Sequence, residues 1–222
     1  MKKELKLLLL ILILPLILCS CELHLNYYED KLYSEKNLIT LNKNNKLDST
    51  NVFTREKAIT KAITVFNKGL GVNIDRNKFS EFIQLSKNEI PPDFTEYILK
   101  WQITWIDPDS KINYHCEIAC NNGEILNIEY SSNERNYEKI DKEPNLKELI
   151  GIANPLFSQL KIDINDYKLN DHGFTTVFKY GDYNKYYLLS FNNRYDYNKS
   201  FFILINYKNK KIISFKKGID TK

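Results

Sequence analysis

The chain opens with an apolar run, Leu7 to Leu18, behind a short basic head, Met1-Lys2-Lys3-Glu4-Leu5-Lys6. Twelve residues fall short of the ~20 that a bilayer-spanning helix needs, but they suit the core of a signal peptide. Residues 22–53 keep no apolar period for long; the polar stretch Asn42 to Lys46 marks a tether, although Leu38 to Leu41 could add a strand. A helical period begins at residue 54. Ile59, Ala62, Ile63, Phe66 and Leu70 lie on one helix face, Thr54 suits the N-cap, Glu56 suits the positive end of the helix dipole, and Gly69 and Gly71 offer a stop. A strand is predicted around Lys78 to Leu85, then a turn at Pro91-Pro92-Asp93. Period two follows: Tyr97, Leu99, Trp101, Ile103 and Trp105 are large and apolar, with Lys100, Gln102 and Thr104 between them. Asp107 to Ser110 turns the chain into a second strand, Ile112 to Cys120. Asn121-Asn122-Gly123 makes a hairpin, and Leu126, Ile128 and Tyr130 continue the buried face.

The second half repeats this order. Leu146, Leu149, Ile150, Ala153, Leu156, Phe157 and Leu160 form a helical stripe, and Pro155 is expected to kink or split that helix. Strands are predicted over Phe174 to Tyr180, through Tyr187, Leu189 and Phe191, through Phe201, Ile203, Ile205 and Tyr207, and over Lys211 to Phe215. Turns fall at Gly181 to Asn184 and Lys208 to Lys210. The helix starts are about 91 residues apart and the last hairpins about 87, the pattern of an internal duplication. The fold class predicted is α+β: two tandem units, each one helix packed on an antiparallel sheet of about four strands. A unit of ~75 residues without disulfide or metal has a modest core, so the two should pack together or share a sheet.

Composition changes the picture little. Of 222 residues, 27% are charged and 43% hydrophobic, enough apolar content for most of the chain to fold. The formal net charge of +4, part of it in the N-terminal head, is too weak to imply a nucleic-acid partner.

The run before Cys21 ends Leu18-Cys19-Ser20-Cys21, which resembles a bacterial lipobox, with Ser20 as the small residue before the modified cysteine. Cys21 is the expected lipidation site, which implies a membrane partner through an acyl anchor on the extracytoplasmic face; a plain secretory signal or an uncleaved anchor is the alternative. Two or three acyl chains at about 0.8 kcal/mol per buried methylene would hold the protein firmly. The helix around Ala58 and Ile59, the strand through Trp101 and the hairpin Ile118-Ala119-Cys120-Asn121-Asn122-Gly123-Glu124-Ile125 resemble a PepSY-type module, over residues 54–131 directly and 145–217 by repetition. The resemblance implies a helix laid on an antiparallel sheet and a peptidase-inhibiting or regulatory role outside the cell. It carries no catalytic residues. The organisation expected is a signal peptide at 1–20, a tether at 21–53, a first unit at 54–131, a linker at 132–144 and a second unit at 145–222.

Candidate chemistry is sparse. Cys116 and Cys120 sit on the apolar face of one strand, where four residues span roughly 13 Å against a bridging limit of ~7 Å. They are read as two buried thiols, a bulge that joins them being the alternative. His115 points to the opposite face, so zinc is not implied, and no cofactor is expected. No G-x-S-x-G, H-E-x-x-H, Walker A or G-x-G-x-x-G pattern occurs. Asp163, Asn165 and Asp166 lack a full calcium-loop pattern and are read as a capped turn. Tyrosine crowds the last quarter, and Tyr183, Tyr195 and Tyr197 fall in predicted turns, where they could form an aromatic platform for a glycan or peptide. The function expected is therefore non-catalytic binding of an extracytoplasmic protein or peptide, with restraint of a secreted peptidase as its sharper form. A wall-glycan or small-ligand module in the Tyr-rich half is the alternative.

Overall fold

A computed structural model describes residues 53–89, 97–131, 144–177, 182–196 and 199–218 of the chain. Among the described residues the first helix, α1 (Arg55–Leu70), starts where Thr54 accepts a hydrogen bond from the Lys57 amide and ends at Gly71 in the left-handed conformation. Four antiparallel strands follow: β1 (Ser80–Glu89), β2 (Tyr97–Ile106), β3 (Asn113–Ala119) and β4 (Ile125–Ser131). The second half has the same order: α2 (Leu146–Leu160), then β5 (Tyr167–Val177), β6 (Asp182–Asn193), β7 (Ser200–Asn206) and β8 (Lys211–Lys217). Each half is one helix and four antiparallel strands, as the alternation of apolar positions predicts.

The two sets of strands form one sheet. Its order is β1-β2-β3-β4-β8-β7-β6-β5, so the last strand of each half meets the last strand of the other. Three residue pairs make that junction: Asn127 with Lys216, Ile128 with Phe215, and Glu129 with Ser214. Both helices lie on the same face. Phe66 of α1 packs edge-on against Trp105 and Tyr114, 5.9 and 5.8 Å between ring centroids. Phe157 of α2 does the same on Phe191 and Phe201. Beneath them Trp101, Ile103, Cys116, Ile118, Leu189, Ile203 and Phe215 are buried, so the period-two positions of both halves build one continuous core.

Several boundaries depart from the sequence pattern for identifiable reasons. Where β3 pairs with β4 the register slips between Glu117 and Ile118, which leaves Leu126 as the extra residue of β4 and brings Ile125 opposite Ile118; Ile125 is buried and Leu126 is not. β5 starts at Tyr167, seven residues before the predicted strand, because two bulges (between Leu169 and Asp171, and between Thr175 and Val177) break the alternation that would have revealed it. β6 starts at Asp182, where Asp182 pairs with Val177, so Tyr183 and Asn184 belong to a strand and not to the predicted turn. Pro155 does not split α2. Its ring is on the exposed side, and the carbonyl it leaves without a donor belongs to Gly151, also exposed, where water reaches it. Cys21, the tether 21–53 up to residue 52, the linker 132–143 and Tyr197 lie outside the described residues.

Candidate functional site

The face of the sheet turned away from the helices is where the halves differ. In β1, β2 and β3 the positions alternating with the core are polar and cross-linked. Gln84 Nε2 donates to Gln102 Oε1 at 2.9 Å, and Gln102 Nε2 donates to Glu117 Oε1 at 3.0 Å. Lys100 Nζ reaches the same carboxylate at 2.8 Å, with His115 Nε2 3.6 Å away. His115 Nδ1 in turn shares a proton with Thr104 Oγ1 at 2.9 Å. Lys100 is buried, its charge compensated by Glu117. Burial alone would raise the Glu117 pKa; His115 beside it, then Lys100 and Gln102 as donors, outweigh that and hold it at about 2. In the second half the corresponding face carries an apolar cluster, Tyr186, Leu204 and Ile213 with Leu188, beside the polar positions Ser190, Ser214 and Lys216.

β1 is the outer strand of this face and one edge of the sheet. Its ten residues pair with β2 from Ser80–Ile106 to Glu89–Tyr97 without a bulge. At its start Glu81 is fixed by Arg76 (2.8 and 2.7 Å) and by Trp105 Nε1 (2.8 Å). Phe82 beside it is 58% exposed. β5, the other edge, is interrupted by its two bulges.

The predicted site residues are not brought together. Tyr195 follows β6 and is 80% exposed, flanked by Arg194, whose Nε bonds the carbonyls of Asn165 and Tyr167. Tyr183 lies near the other end of the same strand, ten residues before its end at Asn193, so roughly 33 Å of strand at ~3.3 Å per residue separates the two sites. Asp163 caps a short 3-10 turn, Ile164–Asp166, accepting from the Asn165 amide at 3.0 Å, which is the capped turn the sequence predicts. Cys116 and Cys120 are free and buried. Burial pushes both thiols up, Cys120 to about 12 and Cys116 further. His172 shares a proton with Tyr187 Oη at 2.8 Å and stacks over that ring.

The polar network was not singled out from the sequence. Its signal was the polar set Lys100, Gln102, Thr104, His115 and Glu117, which alternates with the core positions of two consecutive strands. Among the described residues no group of three or more His, Cys, Asp or Glu could hold a metal ion, and no helix is long and apolar enough to cross a membrane.

No protein-family model matches the chain, and no curated protein matches it. Among solved structures, the Bacillus megaterium YpeB C-terminal domain superposes with a TM-score of 0.49 at 14% sequence identity. The match covers 75% of this chain and 63% of that one, so the chain spans less than two thirds of that structure's length.

Proposed function

We propose that this chain is a non-catalytic lipoprotein, anchored through Cys21 on the extracytoplasmic face of the membrane, that binds a protein or peptide by strand addition at β1. The organisation is that of a signal peptide (1–20), a tether (21–53) and two PepSY-like units (54–131 and 145–222) joined by a linker (132–144). The observation that carries the binding reading is the β1 edge. It is ten residues long and paired without a bulge on its inner side, and it carries an exposed Phe82. An edge of this kind offers a row of backbone donors and acceptors to an incoming strand. Phe82 supplies an apolar contact for alternate side chains of that strand. Restraint of a secreted peptidase would follow if the added strand belonged to the peptidase.

The test is capture by the full processed chain of single purified secreted proteins, peptidases included, against purified wall material, with Phe82→Lys in parallel. Capture of a secreted protein, lost with Phe82→Lys, is the expected outcome. Retention on wall material, unaffected by Phe82→Lys, would replace this reading with the glycan one, which the exposed Tyr195 favours. The anchor is checked separately: globomycin should make the unprocessed form accumulate, and normal processing under globomycin would remove Cys21 from the account.

A further inference from the structure

The two halves differ in charge as well as in their outer face. Residues 54–131 carry nine Lys and Arg against eleven Asp and Glu, whereas residues 145–222 carry thirteen against seven. The difference is concentrated at the hairpin that closes each half. In the first half the turn is Asn121-Asn122-Gly123-Glu124; in the second it is Lys208-Asn209-Lys210-Lys211. Lys208, Lys210 and Lys211 are all exposed. Lys210 forms an ion pair with Glu148 in the first turn of α2, and its ammonium lies 4.0 Å over the Tyr207 ring. That pair brings the helix N-terminus, with exposed Lys147, beside the hairpin. Four lysines and the positive end of a 15-residue helix thus converge, with Glu148 held among them.

From this convergence we infer that the β7–β8 hairpin and the first turn of α2 bind a phosphodiester-linked polyanion of the cell wall. Compact ammonium groups on flexible stems suit successive phosphates along a polymer, and the Tyr207 ring steadies one of them. The position of the patch chooses the wall over the bilayer. The described chain begins at Phe53, whose amide donates to Cys120 O at 2.8 Å in the β3–β4 hairpin. Glu124 in that hairpin pairs with Lys217 at 2.8 Å, and Gly218 bonds the Ser200 carbonyl, so β7 starts at the same end of the sheet. The seven residues of β7 then carry the chain roughly 23 Å to the basic hairpin at the opposite end. The basic hairpin therefore lies at the end of the sheet opposite the one where the tether joins, an end it shares with the Asp107–Ser110 turn of the first half.

Calling the polymer a wall component rests on the extracytoplasmic reading above; the binding itself does not. The test uses the mature-length chain with Cys21→Ser, which carries no acyl group, and long-chain inorganic polyphosphate as the probe. Phosphatidylglycerol vesicles and inorganic phosphate are parallel arms. Binding to polyphosphate should weaken with salt along a log–log slope of roughly −2 to −3, the value for three to four displaced counterions. Replacing Lys208→Gln, Lys210→Asn and Lys211→Gln together should lower affinity at least tenfold; Asn at 210 keeps a residue that tolerates the backbone there. Lys168→Gln, Lys199→Gln and Lys216→Gln together remove the same charge at the other end and should change affinity less than twofold. Equal loss in both triple variants, vesicle binding as tight as polyphosphate binding, or no salt-dependent binding at ~50 mM salt would each overturn the proposal.

Discussion

Gly71 and Lys161 end the two helices in the same left-handed backbone conformation, at φ 68° and φ 56°. Glycine enters this region freely, whereas a residue with a Cβ pays roughly 1–2 kcal/mol against the following carbonyl. Lys161→Gly should therefore stabilise the protein by about 1 kcal/mol, and Gly71→Lys should destabilise it by a similar amount. For a domain of this size the melting temperature should move by roughly 2–4 °C in each direction. A lower melting temperature for Lys161→Gly would mean that the lysine side chain makes a contact worth more than the strain.

Gly123 closes its hairpin at φ 70°, and there the space is also taken. A Cβ on Gly123 would lie 2.5 Å from the Phe53 ring, while a Cβ on Gly71 would meet nothing within 4 Å. Phe53 is held on both sides of its peptide, by the Cys120 carbonyl and by Trp101 Nε1 at 2.8 Å each. Gly71→Ala should cost about 1 kcal/mol, the backbone term alone. Gly123→Ala should cost about 2 kcal/mol or more, because the ring must move or its bonds must break. Equal losses in urea titrations of the two variants would show that Phe53 is not clamped over the hairpin.

What the sequence makes legible follows from what is local. The caps of α1, the strand through Trp101, Ile103 and Trp105 and the hairpin at Gly123 all rest on spacing or on single-residue backbone preference, and these elements stand where the pattern puts them; the buried face of α1 keeps Ile59, Ala62 and Phe66 but takes Ala58, Val65 and Gly69 in place of the half-buried Ile63 and Leu70. Bulges are not local. The slip that replaces Leu126 by Ile125, and the two that hide the first half of β5, depend on which strand lies alongside. The same holds for the junction of β4 with β8, whose partners Ile128 and Phe215 are 87 residues apart. Tyr183 stands in β6 and not in a turn because Gly181 signals a turn without fixing where the turn ends. The Gln84–Gln102–Glu117 chain required the register of three strands, although the polar alternation was there to be read.

Glu117 links this register to pH. Its pKa is held at about 2, below the ordinary 4.5, despite burial. A depressed carboxylate stabilises the fold fully above its unfolded pKa, and that stabilisation fades as pH falls from about 4.5 towards 2. With solvent reaching part of the group, about 1–2 kcal/mol is expected. Urea titrations of the wild type and Glu117→Gln between pH 6 and pH 2 should show a gap that closes across this window. A constant gap would mean that the carboxylate charge contributes nothing and only its hydrogen-bonding shape matters.

Cys116 and Cys120 should be chemically silent in the native protein. The thiolate is the reactive form, and burial raises both pKa values far above neutrality. A disulfide-exchange reagent at pH 8 should label neither within the time that it labels both in ~6 M guanidinium. Rapid native labelling of Cys120 would place the hairpin end of β3 in frequent local opening.

The shared sheet makes each half dependent on the other. Taking residues 140–222 alone would uncover the β8 edge at Lys216, Phe215 and Ser214, strip Ile128 from Phe215, and expose Leu156 where it faces α1. A half of that size buries too little apolar surface to absorb such losses. The fragment should show no cooperative urea transition, while the whole chain unfolds in one. The contact between the helices gives an independent measurement in the intact protein. A Cβ on Gly69 would stand 3.2 Å from Leu156 Cδ1 and 3.3 Å from its Cα, so the absence of a side chain lets the two helices approach this closely. Gly69→Val would have to push backbone as well as side chain and should destabilise by about 1–3 kcal/mol. If the halves are one cooperative body, that loss shifts a single transition to lower urea. Two separated transitions in the variant, or a cooperative melt of the fragment, would show that the three pairs at the β4–β8 junction join two independently stable folds.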